Sequence, residues 1–343
     1  MRYSVIIPAY NRAEQLPLTL ASFNLQTFSK EKFEVIVVDD GSTDQTKKVV
    51  KKFEASYPLI YSNTEKKSGR SYARNHGISL ARGKYVIFCD ADFIVIPEFL
   101  EIIHKYHKRY PKTVVSGIPG SWNRTYVQYY PEFTEKQKWE MHEVLKPLGL
   151  WQDTFWGSEK NIVSVLKPED LYHRFHDIGK YVYKWSTGSR EARKAYRETD
   201  VASWLLLVTR CVSIKKRDLL RVGCFEEKFI RYGLEDWELG YRLYQKGLSF
   251  VSIKKRVGFH QEHPRTLGEE GENLDINLRI IYQKFGFLDP ELNLLSVSPP
   301  WKNTVRYKNK LRELRDYEAK GRIRQAHRLR EKWRRKAIEF YNN

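Results

Sequence analysis

Short apolar runs alternate with amphipathic stretches over the first 115 residues. Ser4–Ile7, Phe33–Val38, Leu59–Tyr61, Tyr85–Cys89 and the pair Val114-Val115 read as five strands. Between them, Ala13–Leu25, Lys47–Phe53, Tyr72–Ala81 and Pro97–Lys108 carry helical spacing. The punctuation agrees. Ser42, Thr43 or Asp44 is placed to cap the second helix, Gly83 stops the third and Pro97 opens the fourth. Near-continuous apolar strands separated by helices predict an α/β architecture, with a parallel sheet covered on both faces.

Residues 120–200 lose this rhythm and are rich in Trp, Tyr, His and charge. They read as an insertion facing a substrate. Regular pattern returns with a predicted strand over Trp204–Ile214, a helix over Asp236–Lys246 and a strand over Leu248–Ile253. From about Asn303 the chain reads as helical. Ala326, Leu329, Trp333, Ala337 and Phe340 recur every three or four residues, an apolar stripe on a basic helix. Such a stripe suits either an interfacial helix on anionic lipid or a helix docked on the protein with its charges solvated.

Composition narrows the choice. The 343 residues are 41% hydrophobic and 14% aromatic, enough for a sizeable core. The net charge is +19, and Lys302–Asn343 holds 15 Lys/Arg against 5 Asp/Glu. That balance favours an anionic partner. Three cysteines fit neither a zinc site nor a disulfide framework, which suggests a cytoplasmic setting. The N-terminus does not read as a signal peptide, since Pro8 ends its short apolar run. No run approaches the ~20 apolar residues that span a bilayer. Membrane contact, if made, would be peripheral, at the inner face.

In such sheets ligands bind beyond the carboxyl ends of the strands. There lie Pro8-Ala9-Tyr10-Asn11, Asp39-Asp40-Gly41-Ser42 and Asp90-Ala91-Asp92. Asp90 and Asp92 offer hard oxygen ligands for a divalent cation on a diphosphate. Asp-x-Asp alone is equally a polar loop. Asp40 can accept the imide N–H of a uracil ring, or an acid there can cap the next helix. Arg70 and Arg74 can meet a base or a phosphate, or be ordinary solvated charges. Glu235 and Asp236 open a helix after Gly233, as either a general-base pair or acids complementing the helix dipole. His260 can complete a metal shell, and imidazole would favour Mn²⁺ over Mg²⁺. His263 reads as a surface or structural histidine.

Taken in order, these motifs resemble the inverting family-two glycosyltransferases of the GT-A fold. The match rests on Ser4–Asn11, Val38–Asp44, Ala73-Arg74-Asn75-x-Gly77-Ile78, Ala81–Val86 and Asp90-Ala91-Asp92. A second stretch, Phe225–Phe229 to Tyr232–Asp236 with Tyr241-Arg242-Leu243, is similar to the carboxyl half of β-galactosyltransferases and bacterial chondroitin-polymerase domains. Those families carry Gly-Gly-Glu-Asp where this chain has Gly233-Leu234-Glu235-Asp236.

The resemblance implies a Rossmann-like, nucleotide-binding mixed sheet flanked by helices, with a C-terminal helical extension. It implies a UDP-sugar donor, bound by Pro8, Ala9, Tyr10, Asn11, Asp40, Arg70, Arg74, Asp90, Ala91 and Asp92. It implies a metal on Asp92, Asp90 and His260, with Asp236 as base and Glu235 orienting the acceptor. The acceptor would be a hydroxyl of a glycan, a glycolipid or a lipid-linked polysaccharide precursor. Residues 1–116 would be the nucleotide-sugar half, 117–203 an acceptor-related insertion, 204–300 the catalytic half and 301–343 the basic tail. A nucleotidyltransferase would want a glycine-rich phosphate loop near the N-terminus, and Ile7–Asn11 is not one. A non-catalytic nucleic-acid binder would carry a recognisable motif, and none is present.

Overall fold

The computed structural model describes all residues except 121, 153–160, 188, 230–231 and 265–269, with backbone alone at 186–187 and 270–272. The strands are β1 (Tyr3–Ala9), β2 (Phe33–Asp39), β3 (Leu59–Asn63), β4 (Tyr85–Cys89), β5 (Phe93–Val95), β6 (Thr113–Ser116), β7 (Gln128–Tyr129), β8 (Val163–Ser164), β9 (Cys211–Lys215), β10 (Ser249–Ser252) and β11 (Gly258–His260). The first helices are α1 (Leu16–Asn24), α2 (Thr46–Lys52), α3 (Arg70–Leu80) and α4 (Phe99–Arg109). After them come α5 (Glu135–Leu145), α6 (Pro168–Arg174), α7 (Arg190–Arg197), α8 (Lys216–Val222) and α9 (Glu235–Gln245). The chain closes with α10 (Glu270–Phe285), α11 (Pro290–Asn293), α12 (Pro300–Ala319) and α13 (Ile323–Asn342).

Seven strands form one sheet in the order β10-β6-β9-β4-β1-β2-β3. Residues of β1, β2 and β4 are almost all buried, as their unbroken apolar runs require of central strands. The sheet is not purely parallel. β9 runs antiparallel to both β4 and β6, with Cys211 opposite Cys89 and Val212 opposite Ser116. The reason is topological: the chain leaves β6 at the carboxyl edge, makes the irregular segment, and re-enters the sheet from that same edge.

One further expectation changes, and one element is new. The strand predicted over Trp204–Ile214 is a buried 3₁₀ turn, Ser203–Leu206, followed by the short β9. Trp204, Leu205, Leu206 and Leu207 are apolar on every side because they fill the core. Such a run has no period from which to tell strand from turn. Conversely, β5 and β11 form an antiparallel ribbon, pairing Val95 with Gly258 and Phe93 with His260. A Cβ on Gly258 would stand 2.4 Å from the Phe93 ring and 2.6 Å from the Ile94 carbonyl oxygen, so only glycine allows this approach.

The tail docks on the protein. Ala326, Trp333 and Ala337 are buried, and α13 packs on α12, α11 and the turn Leu294–Ser296. Of the two readings of the stripe, the docked helix is the one the structure adopts. No helix among the described residues is long and apolar enough to cross a membrane.

Candidate active site

Three loops at the carboxyl edge meet around one cleft of 480 Å³. Pro8, Ala9, Tyr10 and Asn11 after β1, Asp40 after β2, and Asp90, Ala91 and Asp92 after β4 line it, with Arg70 and Arg74 from α3. All ten residues expected around a donor are thus brought together. The cleft also uses Arg12 and Lys67, which the sequence did not single out, and Tyr232, which it gave only as part of the second resembling stretch. At its mouth Lys67 lies over the Tyr10 ring and Arg70 over the Tyr232 ring, at 4.2 and 4.8 Å.

Asp40 is buried and shapes one wall. Its Oδ1 accepts from the Thr64 hydroxyl and the Ser68 N–H, and its Oδ2 from the Gly69 N–H. A carboxylate has about four acceptor positions, so one on Oδ2 is left for a ligand. Asp39 faces away, bound to the Ser42 N–H and the Tyr61 hydroxyl.

At the other wall Asp92 meets two histidines. A ligand atom from each of Asp92, His260 and His263 lies within 4.8 Å of the others. His260 is delivered by the β5–β11 ribbon, and its N–H donates to Asn123 Oδ1. His263, read from sequence as a surface or structural histidine, stands at the same carboxylate, its Nε2 3.1 Å from Asp92 Oδ2. Its Nδ1 lies 2.8 Å from the Pro264 carbonyl, which only accepts, so Nδ1 carries a proton. In the neutral ring Nε2 then points a lone pair at a carboxylate oxygen, which calls for a cation or a second proton between them. Asp92 Oδ1 is buried without a hydrogen bond. Burial alone would raise the Asp92 carboxyl, but His260, His263 and Arg12 outweigh it and hold the group well below the usual carboxylate range. One carboxylate and two imidazoles fit a divalent cation of borderline softness. Asp90 lies outside this cluster, its Oδ2 3.6 Å from Arg210 Nε. The sequence carried one signal for His263: its i, i+3 spacing from His260.

A second cavity of 470 Å³ shares Arg70, Arg74, Asp90 and Tyr232 with the first. Glu235, Asp236 and Thr209 line it. Arg74 is no solvated helix-start charge; its side chain is 3% exposed. It binds Glu235 Oε1 at 3.1 Å, approaches Asp236 Oδ1 at 3.4 Å and donates to the Thr209 hydroxyl at 2.5 Å. Thr209 passes this on, donating through both its N–H and its hydroxyl to Asp236 Oδ2. Burial raises the Asp236 carboxyl; Arg74 opposes this, Glu235 adds to it and Thr209 opposes it, leaving a pKa of about 6. Asp236 Oδ1 and Glu235 Oε2 are buried without hydrogen bonds. The loop entering α9 is tight. Gly233 has φ +102° and Leu234 φ +69°, so a leucine holds the left-handed backbone where the resembling families have their second glycine.

Residues 4–156 match the model of glycosyl transferase family 2, and residues 206–265 match that of the N-terminal domain of galactosyltransferase. Residues 4–156 thus carry the glycosyl transferase family 2 pattern, and the chain has the GT-A fold. The uncharacterized glycosyltransferase YfnE of Bacillus subtilis is 34% identical over 77% of this chain and 66% of its own length. Validoxylamine A glucosyltransferase of Streptomyces hygroscopicus is 30% identical over 84% of this chain and 62% of its own. The chain therefore spans just under two thirds of these relatives. The crystal structure of S. aureus TarS 1–349 in complex with UDP-GlcNAc has the same fold, with a TM-score of 0.55 at 18% identity, covering 98% of this chain and 92% of that one.

Proposed function

We propose that this chain transfers a hexosyl or N-acetylhexosaminyl group from a UDP-sugar to a glycan or lipid-linked hydroxyl, inverting the anomeric carbon. One observation carries the reading: Asp92 of a cation-ready cluster lines one cavity, and Asp236, a buried carboxyl with one oxygen lacking a hydrogen bond, lines a second that shares four residues with it. In this reading residues 1–116 and 204–300 form the two halves of a single catalytic unit, and 117–203 faces the acceptor. Pro8, Tyr10 and the open acceptor position of Asp40 hold the uracil end. Asp92, His260 and His263 hold the metal, Mn²⁺ in preference to Mg²⁺ because two donors are imidazoles. A cation held there would supply positive charge against the departing diphosphate. Arg70 and Arg74 add fixed positive charge along the cleft, and Asp90 faces the donor sugar.

Asp236 Oδ1 takes the proton of the attacking hydroxyl. Thr209 fixes Oδ2, so the ionised carboxylate is aimed rather than free to rotate. Glu235 Oε2 accepts a neighbouring hydroxyl and so orients the acceptor. A relative named as a glucosyltransferase and a similar fold holding UDP-GlcNAc support the choice of donor class.

The test separates binding from chemistry. Calorimetry with Mn²⁺ should show UDP binding to the wild type and to Asp236→Asn alike. A screen of UDP-sugars should show transfer in the wild type and a loss of about 10³-fold or more in the variant. Absence of any uridine-nucleotide binding would remove the donor assignment, and an active Asp236→Asn would remove the base.

A further inference from the structure

Tyr196 and Trp301 line both the cavity that holds Glu235 and Asp236 and a third cavity, of 780 Å³. Aromatic faces run along the join. Trp237 stacks on Trp301 with centroids 6.2 Å apart, and Trp122 meets Tyr196 edge-on at 4.6 Å. Flat, apolar rings beside a polar groove suit the faces of sugar rings, which carry C–H bonds between their hydroxyls.

Beyond the rings the wall is cationic. Lys302, Arg306 and Lys310 line it at intervals of four, and Arg306 and Lys310 share one face of α12 beyond a kink at Asn303. Among the described residues none of the three makes an ion pair, and Glu313 is the one acid on this wall. Arg312, two residues on, is spent differently, pairing with Glu198 and Asp200 to anchor α12 against the loop after α7. The helix is thus held, while its groove-facing charges remain available.

We infer that this groove is the acceptor track and that the acceptor is a saccharide or polyol chain bearing phosphate or carboxylate groups. The inference rests on the catalytic reading for its direction, since it places the growing hydroxyl at Asp236 and the earlier units beyond Trp301. Three unpaired cations spaced along a track favour charges that recur along a chain over a single charged terminus.

The experiment uses the full chain and fluorescently end-labelled oligomers of equal length: a polyol phosphate, a glucuronate-containing oligosaccharide and an uncharged glucan. Fluorescence anisotropy should show salt-sensitive binding of one or both charged oligomers. The stronger of them identifies the anion. The triple variant Lys302→Gln, Arg306→Gln, Lys310→Gln should weaken that binding by about tenfold or more. Its UDP binding and UDP-sugar hydrolysis should stay at wild-type level. Trp301→Ala should weaken it independently, with circular dichroism confirming that both variants fold. Equal binding of the uncharged glucan, or an unaffected triple variant, would overturn the proposal. So would an RNA oligomer that binds as tightly and is indifferent to Trp301→Ala, since that is plain polyanion adsorption. Binding of a charged oligomer without any uridine-nucleotide binding would leave the groove standing and remove the catalytic reading instead.

Discussion

Asp236 is poised to titrate near the working range of a general base. Its carboxyl stands at about 6, and the ionised form is the one that accepts a proton. kcat/KM should therefore fall about tenfold per pH unit below 6 and level off above it. Thr209→Val removes the hydroxyl that stabilises the ionised form, so the acidic limb should move upward by about half a pH unit. A pH–rate profile of the two proteins checks this, and an unmoved limb would mean that another group titrates. At the opposite wall, His263→Ala should reduce Mn²⁺ affinity by about 10–100-fold, read by calorimetry. Unchanged affinity would place the metal elsewhere. These residues differ in how far sequence revealed them. Asp90, Asp92 and Asp236 sit in recognisable motifs. Arg74 carries no sign in the sequence that it would be buried, because its two acidic partners lie 161 and 162 positions away.

Elements were legible where burial leaves a period or an unbroken run. β1, β2 and β4 are seven, seven and five residues of nearly uniform burial, and their apolar runs match. β5 and β11 have three residues each, too few for any period, and exist because they pair with each other. That ribbon positions His260, so its tightest point is a sensitive one. Gly258→Ala forces the Phe93 ring and the Ile94 carbonyl apart and should cost about 1–3 kcal/mol in urea unfolding. Mn²⁺ affinity should fall with it. Loss of stability with full metal affinity would show that His260 reaches Asp92 without the ribbon.

At the scale of the whole molecule, the tail is part of the core. Trp333 is 2% exposed, so Trp333→Ala should destabilise the protein by about 3–5 kcal/mol, measured by denaturant unfolding. The same burial leaves the tail's outer charges but no apolar face for insertion. Adsorption to anionic vesicles should be abolished by salt within the range where surface charges are screened. Salt-resistant insertion would require α13 to leave its dock. Mixed topology was the least legible feature, because no local pattern tells an apolar strand which edge of the sheet its chain enters from.

That point of entry bears on how such proteins diversify. The segment 117–203 departs after Ser116 and returns to a strand in which Val212 pairs with that same Ser116. Its first residue lies beside that strand, Gly117 N–H donating to the Cys211 carbonyl, so the segment and the turn after it can vary in length without re-threading the sheet. The graft is constrained where the segment holds its neighbours: Asn123 and Thr125 bind the His260 backbone, and Glu198 and Asp200 pair with Arg312. Chimeras that graft this segment between relatives, keeping those contacts, would test whether it carries the acceptor recognition.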